Sequence, residues 1–363
     1  MSDPRLVAIV DTNIKHAQKV GQVLRSYFNT IMCTNGERVI NSLETQKPSI
    51  ILLASGLLPH GSMVVVEAIK HHPDLSRTEI IFIAEDESDP DIAKAKELGI
   101  KNILIKPYMP STLIQTISNA ISGNVEKQWE KLEAKPREAL QNTVGIFRSI
   151  SDVLITGEDI SFNDVKENCS SLVEVVESND FGVILDGVRN HDDYTFAHSL
   201  RVATLLTLLG HAAGFKKNDQ LIMSSGGLLH DVGKMMIPHH ILNKPGKLTD
   251  EEFEIMKSHV PETVSYLERT GNIPKAVMII AEQHHEKIDG TGYPHGKKGK
   301  ELNELARMAA IVDVFSALTD RRIYKPPMES SKAIGILEDM SGHLDQNYVK
   351  MFKGVLIDTG ILK

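Results

Sequence analysis

The run pattern of this chain changes once, near residue 122, and that change constrains the fold more than any other feature. Before it, five short β-rich runs recur: Leu6–Val10, Thr30–Thr34, Ser49–Leu53, Glu79–Ile83 and Asn102–Ile105. Amphipathic stretches such as Ile14–Tyr27 and Ile92–Leu98 separate them, the latter stopped by Gly99. Runs three to five are almost wholly apolar, as parallel strands are when both faces of their sheet are covered. Residues 1–122 therefore read as an α/β doubly wound domain with a five-stranded parallel sheet. Beyond residue 166 no β-rich run returns. Helical periodicity continues to Val355, broken by Gly/Pro-rich loops at Ile237–Lys247 and Asp289–Gly299, which predicts an all-α domain over 166–363.

The residues between, 123–165, read as a helical linker. Asn124–Ala134 is a charged helix with the single tryptophan, Trp129, and Pro136 is expected to interrupt it. Leu140, Val144, Phe147, Val153 and Leu154 then form a stripe, expected as a packing seam and spaced so that it would also serve a coiled homodimer contact.

The charge balance, 40 Lys+Arg against 48 Asp+Glu, leaves a net −8. Such a chain gains nothing from bulk electrostatics near a polyanion, which argues against general nucleic-acid binding but not against a small phosphorylated ligand held by local cations. No apolar stretch approaches the roughly 18 residues that span a bilayer. The N-terminus lacks the shape of a signal peptide, and Cys33 and Cys169 make no disulfide framework. The expectation is a cytoplasmic protein without a membrane partner.

Fifteen histidines, most of them after residue 190, direct attention to metal chemistry. In Leu229-His230-Asp231-Val232-Gly233-Lys234 an imidazole stands beside a carboxylate. Neighbours on a helix project about 100° apart, so they do not meet one ion side by side. At a helix end they can straddle two, the imidazole on one ion and the carboxylate bridging both. His284-His285-Glu286 is a second donor cluster, and His198 and His259 are further candidates. Asp313 falls in the apolar run Met308–Leu318, where an unpaired buried carboxylate would be costly and so calls for a cation. Five histidines and two aspartates are the donor count of a two-metal site.

Two resemblances follow. With Asp11 after the first strand, Pro59, and Lys106-Pro107 after the fifth, the first domain resembles the receiver domain of two-component systems. It departs from that pattern where the phosphoacceptor aspartate should stand, because Leu52-Leu53-Ala54-Ser55 places a serine there. The acidic pair is reduced to Asp11-Thr12, and Ala84 replaces the hydroxyl after strand four. The fold is expected to survive without the phosphorelay chemistry.

The second domain resembles the HD-GYP family of cyclic-di-GMP phosphodiesterases. The resemblance rests on His230-Asp231 with Lys234, and on His284-His285-Glu286-Lys287-Ile288-Asp289-Gly290-Thr291-Gly292-Tyr293-Pro294. Supporting matches include His198-Ser199-Leu200-Arg201-Val202, His259, Ala306-Arg307, Asp313, Tyr324 and Gly342-His343-Leu344-Asp345. It implies two divalent ions, iron first, with manganese and nickel as alternatives. One ion would lie on His198, His230 and Asp313 and the other on His259, His284 and His285, with Asp231 bridging. Tyr194 stands where a third-metal glutamate occurs in some relatives. The activity implied is hydrolysis of cyclic-di-GMP to pGpG, and onward to GMP, by a metal-bridging hydroxide. Lys234 and Asp231 would be catalytic, and Tyr293, Arg322 and Lys325 would contact substrate. Diguanylate cyclases or other signalling proteins are the partners the resemblance admits at the Gly-Tyr-Pro loop. Ser316 replaces a second acid that relatives carry three residues after Asp313. That loss, with Ser55, motivates an alternative, a non-catalytic effector that binds cyclic-di-GMP or a partner protein. An HD-type phosphohydrolase acting on mononucleotides or hybrid cyclic dinucleotides is the third reading.

Overall fold

The computed structural model describes residues 6–25, 27–156, 161–244, 246–320 and 327–362. Two compact units emerge, Met1–Lys127 and Gln128–Lys363.

In the first unit, strands β1 (Leu6–Val10), β2 (Asn29–Cys33), β3 (Ile50–Ala54), β4 (Glu79–Ala84) and β5 (Asn102–Ile105) alternate with helices α1 (Ile14–Leu24), α2 (Val39–Gln46), α3 (Ser62–His71), α4 (Asp91–Glu97) and α5 (Pro110–Trp129), the last two residues of α5 belonging to the second unit. All pairings are parallel, in the order β2-β1-β3-β4-β5. Alternate side chains point to opposite faces of a strand. Ala8, Val10, Ile51 and Leu53 therefore join one apolar layer, and Val7, Ile9, Ile50 and Leu52 the other. This is the doubly wound sheet expected from the sequence, with each strand end within one residue of its expected position.

The loops at the carboxyl ends of these strands are engaged internally. Asp11 is buried, paired with the His16 ring and accepting from the Asn13 backbone N–H at 2.7 Å. Ser55 follows directly on β3, and Lys106 pairs with Glu85 at 2.6 Å. A serine hydroxyl cannot form an acyl phosphate. Incubation with a small phosphodonor and magnesium should leave the intact mass of the protein unchanged; a stable adduct within residues 1–122 would contradict this.

The second unit contains α6 (Ala134–Thr156), α7 (Phe162–Glu177), α8 (Phe181–Gly187), α9 (Tyr194–Ala212), α10 (Lys217–Leu229), α11 (His239–Leu242), α12 (Asp250–Lys257), α13 (His259–Thr270), α14 (Lys275–Gln283), α15 (Glu304–Thr319), α16 (Ser330–Asp339) and α17 (Gln346–Asp358), with no strand among its described residues. Residues 134–156, read from the sequence as part of a linker, pack here on α7 and α9. The stripe Leu140, Val144 and Phe147 is buried within the chain, with Phe147 against Phe196 at 5.4 Å, so its apolar face is covered without a second copy. The Leu154 side chain lies outside the described residues. The helix break falls before Pro136, at residues 130–133. Pro136 sits in the first turn of α6, where a missing N–H costs no helical hydrogen bond. Trp129 is buried and donates from Nε1 to the Gly187 carbonyl at 2.9 Å. No helix among the described residues is long and apolar enough to cross a membrane.

Candidate metal centre

Close helix packing brings the donors together. α9 is buried along almost its whole length, and α10 lies between it and α14. Two adjacent glycines permit this. A Cβ on Gly227 would stand 2.6 Å from the Ala203 Cα, and one on Gly226 2.5 Å from the Ile280 Cδ1. The helix ends then converge. His198 comes from the second turn of α9, His230 and Asp231 from the end of α10, and His259 from the start of α13. His284 and His285 follow the end of α14, and Asp313 projects from the middle of α15. The structure brings all seven into two groups, His198, His230, Asp231 and Asp313, and Asp231, His259, His284 and His285.

Asp231 belongs to both, through different oxygens. Its Oδ2 lies 3.2 Å from His230 Nε2 and 3.6 Å from His198 Nε2. Its Oδ1 lies 3.2 Å from His259 Nε2 and 3.7 Å from His284 Nε2. Asp313 places Oδ1 2.9 Å from His198 Nε2 and Oδ2 3.8 Å from His285 Nδ1. The side chain of Asp231 is wholly buried. Burial alone would raise its carboxyl pKa, but His230 and Lys234 hold it well below the usual carboxylate range. Burial likewise opposes ionisation of Asp313, but the hydrogen bond to His198 overrides it and holds the carboxyl well below its usual range.

The histidines are oriented for a cation. Nδ1 of His230 meets the Gly227 carbonyl at 2.7 Å, that of His259 meets Met256 at 2.6 Å, and that of His284 meets Ala281 at 2.9 Å. A carbonyl only accepts, so the proton resides on Nδ1 and the Nε2 lone pair faces the centre. All three Nε2 atoms and Asp231 Oδ1 are buried without a hydrogen-bond partner among the described residues. Leaving four buried acceptors facing one another is expensive unless a cation satisfies them. Burial, reinforced by His285 and His230, keeps His284 neutral, and burial pushes the His285 imidazole down to about 3. His198 differs. Burial disfavours its charge, but hydrogen bonds to Asp313 and Asp320 push it up to about 9. The donor set fits divalent metal.

Around the centre, Lys234 pairs directly with Asp231 Oδ2. The Tyr293 ring lies 4.7 Å from that of His285 and makes one wall, while Tyr194 stacks on His198 at 5.6 Å. Glu286 is not among the donors. It is buried and accepts from the backbone N–H groups of His295 (2.7 Å) and Lys297 (3.0 Å), which pins the loop that follows Tyr293. A Cβ on Gly292 would stand 2.4 Å from the Lys287 nitrogen, so glycine is required where this loop folds back. The stretch Gly342-His343-Leu344-Asp345 supports the same loop, through backbone hydrogen bonds from Ile288 to His343 and Asp289 to Gly342, and through Asp345 to Arg307 at 3.0 Å. Arg322, Lys325 and Tyr324 lie outside the described residues. Sequence reasoning missed Asp320, whose Oδ2 is 2.8 Å from His198 Nδ1. Its signal was its spacing, seven residues after Asp313 at the end of the same buried helix.

Comparison with known proteins matches these two units to two families. Residues 7–118 match the response regulator receiver domain and residues 183–348 match the HD domain. The second part of the chain is thus similar to HD domains and the first part to receiver domains. A Pseudomonas aeruginosa protein named cyclic di-GMP phosphodiesterase is 39% identical over 167 residues, covering 46% of this chain and 40% of its own length. A Thermotoga maritima protein of the same name is 29% identical over 343 residues, covering 93% of this chain and 86% of its own. A Vibrio cholerae 3′3′-cGAMP-specific phosphodiesterase is 36% identical over 159 residues, covering 44% of this chain and 34% of its own. The chain thus spans less than half the length of the first and third of these relatives. Among solved structures, an HD-GYP-type protein from Bdellovibrio bacteriovorus shares the fold with a TM-score of 0.51 at 20% identity, covering 67% of this chain and 80% of its own.

Proposed function

We propose that this chain is a metal-dependent phosphodiesterase that opens cyclic di-GMP to linear pGpG, with GMP as the product of a further cleavage. One observation carries the reading: Asp231 turns its two oxygens toward two different sets of histidines. In this reading one divalent ion lies on His198, His230 and Asp313, a second on His259, His284 and His285, and Asp231 is common to both. The donors are imidazole and carboxylate without thiolate, a set suited to first-row ions, and iron is assigned first, with manganese or nickel as substitutes. Bound there, the ions would lower the pKa of a shared water toward neutrality and offset charge on the phosphodiester.

The remaining work falls to the protein. Lys234 places its amino group beside Asp231, stays partly exposed, and can deliver a hydrogen bond or proton to the leaving 3′ oxygen. Tyr293 offers a ring face beside the centre against which a purine can pack. Arg322 and Lys325 are assigned the phosphate contacts. Lys234→Ala should lower kcat by about 10²-fold or more while KM and metal content change little, because help to a leaving group is realised in the transition state. An unchanged kcat, or an equal loss of bound metal, would remove Lys234 from this role.

The two ions should also differ in pH dependence. A ligating imidazole must be neutral, and metal-free His198 titrates near 9, so metal at its site displaces a proton below that pH. Affinity there should rise about tenfold per unit from pH 7 toward 9 and then level off. His284 and His285 are already neutral in this range, so the other site should show no such slope from these residues. Isothermal titration in buffers of different ionisation enthalpy measures the released proton directly.

The substrate assignment is tested by incubating metal-loaded, reduced protein with cyclic di-GMP and, separately, with 3′3′-cGAMP, and separating the products. Accumulation of pGpG from cyclic di-GMP supports the reading, and preferential cleavage of 3′3′-cGAMP would move it to the hybrid dinucleotide. The effector alternative draws on Ser316, whose hydroxyl is buried without a partner among the described residues at a position where the resemblance expects an acid. Binding of cyclic di-GMP with no product from either nucleotide would favour it.

A further inference from the structure

We propose that Asp320 is the positioning carboxylate for His198, performing one helical turn further along α15 a task for which position 316 has only a serine. The inference rests on the dinuclear reading and concerns the outer support of one of its ligands.

Asp313, Ser316 and Asp320 are spaced by three and four residues, so they share one face at the C-terminal end of α15. The Asp320 N–H donates to the Ser316 carbonyl at 2.7 Å, which keeps that spacing helical to the last turn. The two carboxylates of this face hold opposite edges of a single ring. Asp313 Oδ1 is 2.9 Å from His198 Nε2, and Asp320 Oδ2 is 2.8 Å from His198 Nδ1. Between them Ser316 is buried, and its hydroxyl bonds to nothing among the described residues.

A carboxylate on Nδ1 accepts the ring proton, fixes the tautomer with Nε2 free, and increases the electron-donating power of that nitrogen. His230, His259 and His284 receive the same orientation from backbone carbonyls, which carry no net charge. His198 is therefore set apart by charged support. Asp320 is itself immobilised: it is buried, its other oxygen pairs with Arg201 Nε, and the Arg201 guanidinium donates to Thr319 Oγ1 at 3.1 Å. Arg201 stands three residues after His198 on α9, so ring, acid and guanidinium form a closed network between two helices.

The test uses the full-length protein, manganese(II), and competition against a chelator of known affinity. Asp320→Asn, which keeps the shape and removes the charge, and Asp320→Ala should each weaken one of two binding equivalents by about 10–100-fold and leave the other at its wild-type affinity. Adding Ser316→Asp to Asp320→Ala should recover most of that loss, a rescue that a merely structural role for Asp320 would not give. Wild-type affinity at both equivalents in both Asp320 variants, an equal loss at both, or no rescue by Ser316→Asp would overturn the inference while leaving the dinuclear reading intact. Failure of the wild-type protein to bind two equivalents would instead overturn the dinuclear reading, and this inference with it.

Discussion

Replacing Asp231 with alanine should empty both metal positions at once and reduce phosphodiester hydrolysis by more than the roughly 10²–10³-fold expected from losing one charge-stabilising donor. The reason is geometric. Asp231 is the member shared by the two groups of donors, with Oδ2 toward His198 and His230 and Oδ1 toward His259 and His284. In the dinuclear reading its removal would delete a ligand of each ion and the carboxylate shared by both groups, so the charges of two cations would face each other with less compensation. His198→Ala serves as the contrast, because it removes a ligand from a single group and should lower occupancy at one position. Elemental analysis of both variants after equilibration with the same free metal distinguishes the cases. Full occupancy in Asp231→Ala would show that Asp231 does not bridge.

Gly233→Ala should have the second-largest effect, although the substitution adds one methyl group and replaces no donor. Gly233 lies in the short 3-10 turn Val232–Met236 that follows Asp231, pressed against the first turn of α13. An added Cβ would stand 2.2 Å from the His259 carbonyl oxygen and 2.7 Å from the Thr263 nitrogen. Both are backbone atoms in a helix, so no side-chain rotation relieves the clash. The Gly233 N–H also donates to Thr263 Oγ1 at 2.9 Å, which ties the two segments together. Either α13, which begins with the candidate donor His259, or the turn, which directly follows Asp231, must move. The expected cost is about 1–3 kcal/mol of stability from overpacking, read as a lower thermal midpoint. It should be accompanied by weaker binding at the position that contains His259. A variant with unchanged midpoint and full metal content would show that this contact is looser than the geometry indicates.

Both residues were visible in the sequence, within Leu229-His230-Asp231-Val232-Gly233-Lys234, but for different reasons. The donor chemistry of His230-Asp231 can be read from residue type, and its placement at a helix end follows from the failure of adjacent helical residues to meet one ion side by side. The need for glycine at 233 cannot, since it arises from a helix that begins some twenty-five residues later. The strands of the first unit were legible for a similar reason: short β-rich runs, the central ones almost wholly apolar, are local properties. The stripe of α6 illustrates the limit. Periodicity identified Leu140, Val144 and Phe147 as one face but carried no information about its cover, and α7 and α9 of the same chain provide it. Glu286, read as part of a donor cluster, and Asp320, which the sequence reading missed, show the same limit. The first is defined by two backbone N–H groups in a loop, the second by an imidazole more than a hundred residues away. Pro136 marks a helix break in the sequence without causing it, because it occupies the first turn of the following helix.

The central claim is a pair of ions sharing one carboxylate, and electron paramagnetic resonance of the manganese(II)-loaded protein tests it most directly. Titration of the metal-free protein should saturate at two equivalents, and the fully loaded spectrum should be that of an exchange-coupled pair, which requires a shared bridging ligand. Saturation at one equivalent, or two equivalents with the spectrum of isolated ions, would contradict the account.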